Sequence, residues 1–267
     1  MSRVEDIHMH YHPKRGRSLL RQIIRGQESP HRLRIRLNTL QHFKAHLDDA
    51  DGTLKFLTLP GAHWIFEQQL QRLWGAGAVR FSTVESEDSY FRQARGRGIG
   101  GKAHTAHFRF GVAKLLTGFT TTRTTMVRAQ LAQVLNAGPQ GRTLRAAFSD
   151  FDGVWLDTCN QIAQPLATSL TELPVRLNQQ RKSVPVCITI QAARERGEWR
   201  SIIQDPGRSQ WLRDTLQAGS DASDLPWDFQ VDAEHSYTSS KGGAPMLYAQ
   251  LTATNRRKAS IHPPTSL

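Results

Sequence analysis

The sequence has no long hydrophobic run and only two cysteines. None of its apolar runs approaches the roughly 18 residues that predict a membrane-spanning helix, and no early apolar segment resembles a signal peptide. We therefore expect a soluble, cytoplasmic protein. Cys159 and Cys187 each lie in or beside an apolar run, which predicts buried, reduced thiols and not a disulfide.

Acidic residues are scarce relative to basic ones. The 267 residues include 35 Lys and Arg against 23 Asp and Glu, which gives a formal net charge of +12. This balance favours a polyanionic partner, with nucleic acid (DNA or RNA) as the leading candidate and an acidic membrane surface as the second. At 38% hydrophobic residues, the chain can form a core in one large domain or two small ones.

Residues 1–52 form a basic N-terminal extension. Residues 18–25 (SLLRQIIR) have apolar residues at helical spacing, whereas residues 33–37 (LRIRL) alternate with period two and predict a short strand with an arginine face. Both patterns place guanidinium groups on a solvent face, which is either an ordinary solvated surface or a phosphate-contacting one. The candidate nucleic-acid-binding residues here are Arg15, Arg17, Arg21, Arg25, Arg34 and Arg36.

Residues 95–105 (RGRGIGGKAHT) form a glycine-rich basic stretch. The spacing of its glycines and lysine fits a phosphate loop, but such a loop follows a strand and has a hydroxyl residue after the lysine. Here the preceding residues are predicted to be helical, and Ala103 follows Lys102. The stretch is therefore either a mobile loop or a nucleic-acid contact made by Arg95, Arg97 and Lys102.

Residues 54–84 predict a strand-helix-strand unit. Residues 54–59 and 78–84 are apolar and β-prone, and residues 62–74 between them predict an amphipathic helix. Glu85 follows the second strand. In nucleotide-binding Rossmann units an acid at this place accepts hydrogen bonds from ribose hydroxyls; the alternative is a capping role for the segment that follows.

A short apolar run at residues 154–156 ends in a polar segment, Asp157-Thr158-Cys159-Asn160. Such a run is typical of a parallel strand buried on both faces. Ligands of open α/β sheets bind at the carboxyl ends of these strands. The alternative is an ordinary core strand that leads into an aspartate N-cap.

The remaining patterns complete an alternating order of strands and helices. Helices are expected at 126–136, at 162–173 and in parts of 192–217, a strand at 183–190, and a hairpin at 229–238 and 246–254. Residues 255–267 predict a basic flexible tail. We expect an α/β fold: a Rossmann-like, mostly parallel sheet with helices on both faces and a C-terminal antiparallel hairpin.

Over residues 53–254 this order resembles the class I S-adenosylmethionine-dependent methyltransferase fold. That fold is a seven-stranded Rossmann-like sheet whose last strand inserts antiparallel. The segment 155–159 (WLDTC) is also similar to a WLD-x-C segment at the fourth strand of methyltransferase-like proteins of phages and plasmids. No clear third strand, with an acid that would contact adenine, is found between Glu85 and residue 150.

The resemblance implies S-adenosylmethionine as the cofactor. It places Leu59-Pro60-Gly61-Ala62 at the cofactor loop, Glu85 at the ribose, and residues 157–160 on the substrate side, where Asp157 or Asn160 would orient a nucleophile. The loop departs from the family's glycine-rich pattern because it has one glycine. Residues 157–160 also lack the D/N-P-P-Y motif of amino-methylating enzymes.

Two functions remain open from the sequence. One is a methyltransferase that acts on or near nucleic acid. The other is a non-catalytic nucleic-acid-binding protein, a regulator or mobile-element accessory, on a degenerate methyltransferase fold.

Metal-dependent chemistry has weaker support in the sequence. His8, His10 and His12 alternate, but no neighbouring acid or cysteine completes a site, so we predict no metal. A nuclease could use Asp150, Asp152 and Asp157 with a divalent ion. The first two acids, however, precede the strand at 154–156 and Asp157 follows it, so they are expected at opposite ends.

Overall fold

The structure is a computed structural model. It describes residues 30–59, 65–75, 77–85, 106–107, 124–128, 135, 148–158, 162, 164–192, 207–238 and 244–259. The strands are β1 (Leu54–Thr58), β2 (Val79–Glu85), β3 (Ala106–His107), β4 (Thr124–Arg128), β5 (Gly153–Asp157), β6 (Ser183–Gln191), β7 (Trp227–Thr238) and β8 (Pro245–Asn255). The helices are α1 (Pro30–Leu47), α2 (Ile65–Trp74), α3 (Gln164–Glu172), α4 (Arg208–Ala222) and α5 (Arg256–Ala259), and a 3-10 turn (Leu173–Arg176) follows α3.

All of these strands belong to one sheet, in the order β3-β4-β2-β1-β5-β6-β8-β7. Strands β4, β2, β1, β5 and β6 are parallel to one another. Strands β2 and β4 lie successively on one side of β1, and β5 and β6, which come later in the chain, lie on its other side. The order therefore reverses between β1 and β5, which is a topological switch point.

The C-terminal hairpin closes the sheet, as the sequence predicts. β7 and β8 pair antiparallel, with a β-bulge between Val231 and Ala233. β8 also pairs antiparallel with β6, so the last strand is inserted between β6 and β7. The α/β, Rossmann-like fold class is confirmed, and so is the antiparallel insertion of the last strand.

Helices cover both faces of the central strands. On one face Val154 and Val186 join a cluster with residues of α3 and α4, such as Leu170 and Leu216. On the other face Phe56, Trp155 and Tyr248 join a cluster with residues of α1 and α2. Successive strand residues point to opposite faces, so the apolar runs of β5 and β6 supply both clusters, which explains why they lack polar alternation.

A buried carboxylate fixes the amino ends of the central strands. Asp152, just before β5, accepts hydrogen bonds from the Lys55 backbone amide (2.7 Å), the Asn178 side chain (2.8 Å) and the Arg181 Nε (2.6 Å). These donors come from β1 and from the segment that leads into β6. Asp152 therefore joins three neighbouring strands at the end opposite Asp157.

The prediction of a strand at residues 33–37 is wrong, because these residues lie within α1. Ile35, Phe43 and Leu47 recur at helical spacing and are buried against the sheet. The alternation LRIRL spans barely more than one helical turn, so it fits either period. Arg34 is exposed, but Arg36 is only 5% exposed and does not lie on the solvent face that the prediction requires.

Because α1 packs on the sheet, the described part of residues 1–52 contributes to the same core as the strands. None of the helices that the structure describes is long and apolar enough to cross a membrane.

The prediction of a helix at 126–136 is also wrong for its first residues, 126–128. Residues Thr124–Arg128 form β4, which pairs parallel with β2 and supplies the third strand that the sequence pattern did not show. β-branched residues at 124, 125 and 127 favour the extended conformation. Phe148, the first described residue after Leu135, is buried.

The prediction of a flexible tail from residue 255 is wrong for its first residues, because Asn255 ends β8 and Arg256–Ala259 form α5, with the Arg256 amide donating to the Pro226 carbonyl oxygen. The remaining described elements agree with the sequence within a few residues. α3 begins at Gln164, which places Pro165 in its first turn, where proline is tolerated. α4 continues to Ala222, five residues beyond the predicted end at 217. Residues 1–29, 95–105 and 260–267, with the predictions made for them, lie outside the described residues.

We predict that Gly219→Ala destabilises the protein. A Cβ at Gly219 of α4 would lie 2.1 Å from the Thr171 backbone oxygen of α3, and a backbone atom cannot turn aside. Overpacking of this kind costs about 1–3 kcal/mol or more, which outweighs the gain of about 1 kcal/mol in helix propensity. Urea unfolding would measure the difference.

Gly77→Ala is the matched control, because a Cβ at Gly77 meets no atom within 4 Å. Its free energy of unfolding should stay within about 0.5 kcal/mol of the unsubstituted protein. Equal stability of the Gly219 and Gly77 variants would contradict the close approach of α4 to α3.

Candidate functional site

The carboxyl ends of the parallel strands meet at one edge of the sheet. There β1 ends at Thr58, β2 at Glu85, β5 at Asp157 and β6 at Gln191. This edge contains the switch point between β1 and β5, where open α/β sheets bind their ligands.

The strand register brings the two predicted acids to this edge. Thr58 lies opposite Thr83 of β2 and Trp155 of β5. Glu85 and Asp157 each come two residues after those partners, so they flank the point where the chain leaves β1. With strands about 4.8 Å apart, their backbones are separated by about 10 Å.

Asp157 is held in place by the junction of β5 with β6. It pairs with Thr189 in the parallel ladder. The next residue, Thr158, donates from both its backbone amide (3.1 Å) and its hydroxyl (2.8 Å) to the Thr189 carbonyl oxygen. The half-buried Asp157 side chain shares the sheet face of Trp155.

The other predicted site residues are only partly described. Leu59 is partly buried and packs against the apolar cluster on the α3 and α4 face. Arg34 is exposed on α1. Outside the described residues lie Pro60, Gly61, Ala62, Asn160, Arg15, Arg17, Arg21, Arg25, Arg95, Arg97 and Lys102.

Glu67 is a residue of this edge that the sequence analysis missed. It lies in the first turn of α2 and is only 1% exposed. Neither of its carboxyl oxygens accepts a hydrogen bond of normal geometry from the described part of the chain, and the Thr58 hydroxyl is likewise unpaired there. A helical signal was available, since Glu67, Leu70 and Trp74 follow one another at i, i+3 and i+7 on one helix face.

Burial changes the ionisation of this carboxyl group. Desolvation raises the pKa of Glu67 to about 7. Three groups act to lower that pKa: the nearby Thr58 hydroxyl, the residue's own backbone amide and the Arg36 charge. The Asp157 charge raises it further. At neutral pH the Glu67 carboxyl group is therefore partly protonated, unlike an exposed glutamate.

The three acids of the nuclease hypothesis do not come together. Asp152 is buried in its hydrogen bonds at the amino end of β5, and Asp157 lies at the carboxyl end. Among the described residues no group of three or more His, Cys, Asp or Glu side chains could hold a metal ion.

Cys187 is a free, buried cysteine, as predicted, while Cys159 lies outside the described residues. Burial raises the pKa of the Cys187 thiol to about 12. The thiol therefore stays protonated and is a poor nucleophile.

Comparison with known proteins gives matches of overall fold at low identity. An O-methyltransferase from Bacillus cereus, solved in complex with SAH, is 12% identical with a TM-score of 0.47, and the match covers 91% of each chain. A precorrin-6y C5,15-methyltransferase from Geobacter metallireducens is 11% identical with a TM-score of 0.42, covering 82% of this chain and 86% of that one.

TrmN from Thermus thermophilus is 10% identical with a TM-score of 0.43. This match covers 82% of the present chain but 48% of TrmN, so the chain spans about half of that protein. No protein-family model and no curated protein sequence matches the chain.

We predict that Glu67 makes the protein less stable as the pH rises. Its pKa is higher in the folded state (about 7) than its ordinary value of 4.5, so the folded protein binds this proton more tightly. The contribution of this proton to the free energy of unfolding is complete below pH 4.5 and is lost as the pH rises through 7. The loss amounts to about 3 kcal/mol at most. Urea unfolding at pH 5 and pH 8 would measure the loss.

In Glu67→Gln this component of the pH dependence should disappear, whereas Glu172→Gln, at the end of α3, should retain it. The same pH dependence in Glu67→Gln as in the unsubstituted protein would contradict the burial of an ionisable carboxyl group at this position.

Proposed function

We propose that the protein is an S-adenosylmethionine-dependent methyltransferase that acts on or near nucleic acid. The strand order carries this proposal: β8 is inserted antiparallel between β6 and β7 of an otherwise parallel Rossmann-like sheet. This is the arrangement that the resemblance to class I methyltransferases implies.

The chemistry of the carboxyl edge fits the cofactor. An acid ends β2 beside the exit of β1, where a carboxylate can accept hydrogen bonds from the two ribose hydroxyls. The Thr58 hydroxyl and the Glu67 carboxyl group, which make no hydrogen bond of normal geometry among the described residues, offer further polar contacts at the same edge. In this proposal Glu85 holds the ribose and the loop 59–62 lies against the rest of the cofactor.

When bound, S-adenosylmethionine supplies an electrophilic methyl group on a sulfonium centre. The protein's part is to align the acceptor atom with that methyl group, which is mainly a contribution of proximity and orientation. Asp157 and Asn160 would orient the acceptor from the end of β5. The junction with β6 keeps the Asp157 backbone fixed for this purpose.

Nucleic acid is the proposed partner because of the net charge of +12. The exposed Arg34 belongs to the proposed contact surface, together with the basic residues of 15–25 and 95–102. Arg36 does not, because it is buried beside Glu67.

A second candidate function is nucleic-acid binding without catalysis. The single glycine in residues 59–62 favours it, since the bulkier His63 and Trp64 follow where the family has a glycine-rich loop. Both candidates require nucleic-acid binding, and they differ in cofactor binding.

Calorimetric titration with S-adenosylmethionine tests the proposal. We expect micromolar binding, and Glu85→Ala should weaken it at least about tenfold because a hydrogen-bonded charged group contributes about 1.5–3 kcal/mol. Glu172→Ala is the control and should bind as the unsubstituted protein does. No heat at millimolar cofactor would contradict the methyltransferase and leave the non-catalytic candidate.

The nucleic-acid partner is tested by fluorescence anisotropy with labelled duplex DNA and single-stranded RNA at several salt concentrations. We expect log K to fall linearly with log salt, and Arg34→Gln should reduce the slope by about 1. Arg80→Gln, also exposed but on β2, is the matched control. Binding that does not respond to salt would contradict a phosphate-contacting surface.

A further inference from the structure

We propose that Glu67 is a ligand-binding residue of this site, whose carboxyl group pairs with a cationic group of the bound molecule and releases its proton to solvent as that group arrives. The inference rests on the proposed function, because it takes S-adenosylmethionine as the bound molecule. It adds a residue of α2 to a site otherwise built from strand ends.

The position of Glu67 is the first support. It lies in the first turn of α2, the helix that follows β1, and is close enough to Thr58, the last residue of β1, for their polar groups to interact. Its carboxyl group also interacts electrostatically with Asp157 at the end of β5. Glu67 therefore faces the switch point, where the sheet is expected to bind its ligand.

The second support is the set of unpaired buried atoms. Four buried polar atoms of this edge make no hydrogen bond of normal geometry to the described residues: both carboxyl oxygens of Glu67, the Thr58 hydroxyl and the Trp155 indole nitrogen. Thr58 and Glu67 are near each other, but their interaction falls outside that geometry. Thr58 and Trp155 are register partners on adjacent strands, and the Trp155 ring packs on Phe66, next to Glu67. A buried polar group without a hydrogen bond destabilises the fold, so a polar ligand would relieve a penalty shared by neighbouring elements.

The charges around Glu67 favour a cation over an anion. Among the described residues, Arg36 on α1 is the positive group that acts on the carboxyl group, and Asp157 on β5 is the negative one. With Glu67 ionised, these three residues carry one positive and two negative charges. A cationic ligand group would be attracted by the two carboxylates, whereas an anionic group would be repelled by both.

S-adenosylmethionine has two groups of the required charge, an ammonium and a sulfonium. Either group would stabilise the carboxylate form of Glu67 over the protonated form. Binding and proton release are then linked, because a ligand that prefers the ionised state must displace the proton that the buried carboxyl group holds near neutral pH.

The test is calorimetric titration of the full chain with S-adenosylmethionine at pH 6.5, in buffers of different ionisation enthalpy. The slope of the observed enthalpy against the buffer's ionisation enthalpy gives the protons released. We expect about half a proton or more for the unsubstituted protein, since most Glu67 side chains are protonated below pH 7. Glu67→Gln should release none, and Glu172→Gln should match the unsubstituted protein.

A second measurement follows affinity with pH from 5.5 to 8. In the unsubstituted protein the affinity should rise with pH, approaching about tenfold per unit well below pH 7, and then level off. Glu67→Gln should show a flat profile. The buffer comparison on the unsubstituted protein needs no variant, so binding without proton release would overturn the proposal even if Glu67→Gln fails to fold.

S-adenosylhomocysteine, which keeps the ammonium but lacks the sulfonium, identifies the paired group. Proton release with both ligands assigns Glu67 to the ammonium, and release with S-adenosylmethionine alone assigns it to the sulfonium. Binding without proton release, or equal release by Glu67→Gln, would overturn the role of Glu67 while leaving the cofactor site intact. No binding heat from either ligand would overturn the cofactor site itself.

Discussion

The buried carboxylate of Asp152 is the interaction on which the arrangement of the sheet depends. It joins the start of β1, the start of β5 and the segment before β6 through three hydrogen bonds. The Asp152 amide also donates to the Lys55 carbonyl oxygen, which extends the contact into the backbone. Residues far apart in the chain are thereby held in register, and the register decides which side chains meet at the carboxyl edge.

The two faces of the sheet differ in what they contribute. The face covered by α3 and α4 is apolar along β5 and β6, with Val154, Leu156 and Ile188 in its core. The face covered by α1 and α2 is apolar at Phe56 and becomes polar toward the carboxyl edge, at Thr58 and Asp157. One face thus supplies stability, and the other gives up part of its apolar packing to polar groups, of which the Thr58 hydroxyl makes no hydrogen bond of normal geometry to the described residues.

Much of the fold could be predicted from the sequence because its central elements have clear local patterns. The run at 154–156 is too apolar for a strand with one solvent-exposed face. The hairpin strands are bounded by glycines and prolines. The acids Glu85 and Asp157 lie at strand ends, as the sequence predicts, because the apolar pattern of each strand stops there.

The failures have physical causes too. The segment LRIRL at 33–37 fits both the two-residue period of a strand and the 3.6-residue period of a helix. The helix forms because Ile35 and Phe43 pack on the sheet. β4 is short, and its residues form a strand because they pair with β2. A contact between segments so far apart in the chain leaves no local sequence pattern. Glu67 was overlooked because a charged residue is ordinarily assigned to the solvent face, whereas α2 buries polar residues together with apolar ones.

The most direct test of a cofactor site at the switch point is a crystal structure of the protein grown with S-adenosylmethionine. The account predicts ligand density across the ends of β1 and β5, with the ribose hydroxyls at Glu85 and a cationic group within hydrogen-bonding distance of Glu67. Ligand bound elsewhere on the chain, or a carboxyl edge still empty at saturating cofactor, would contradict it.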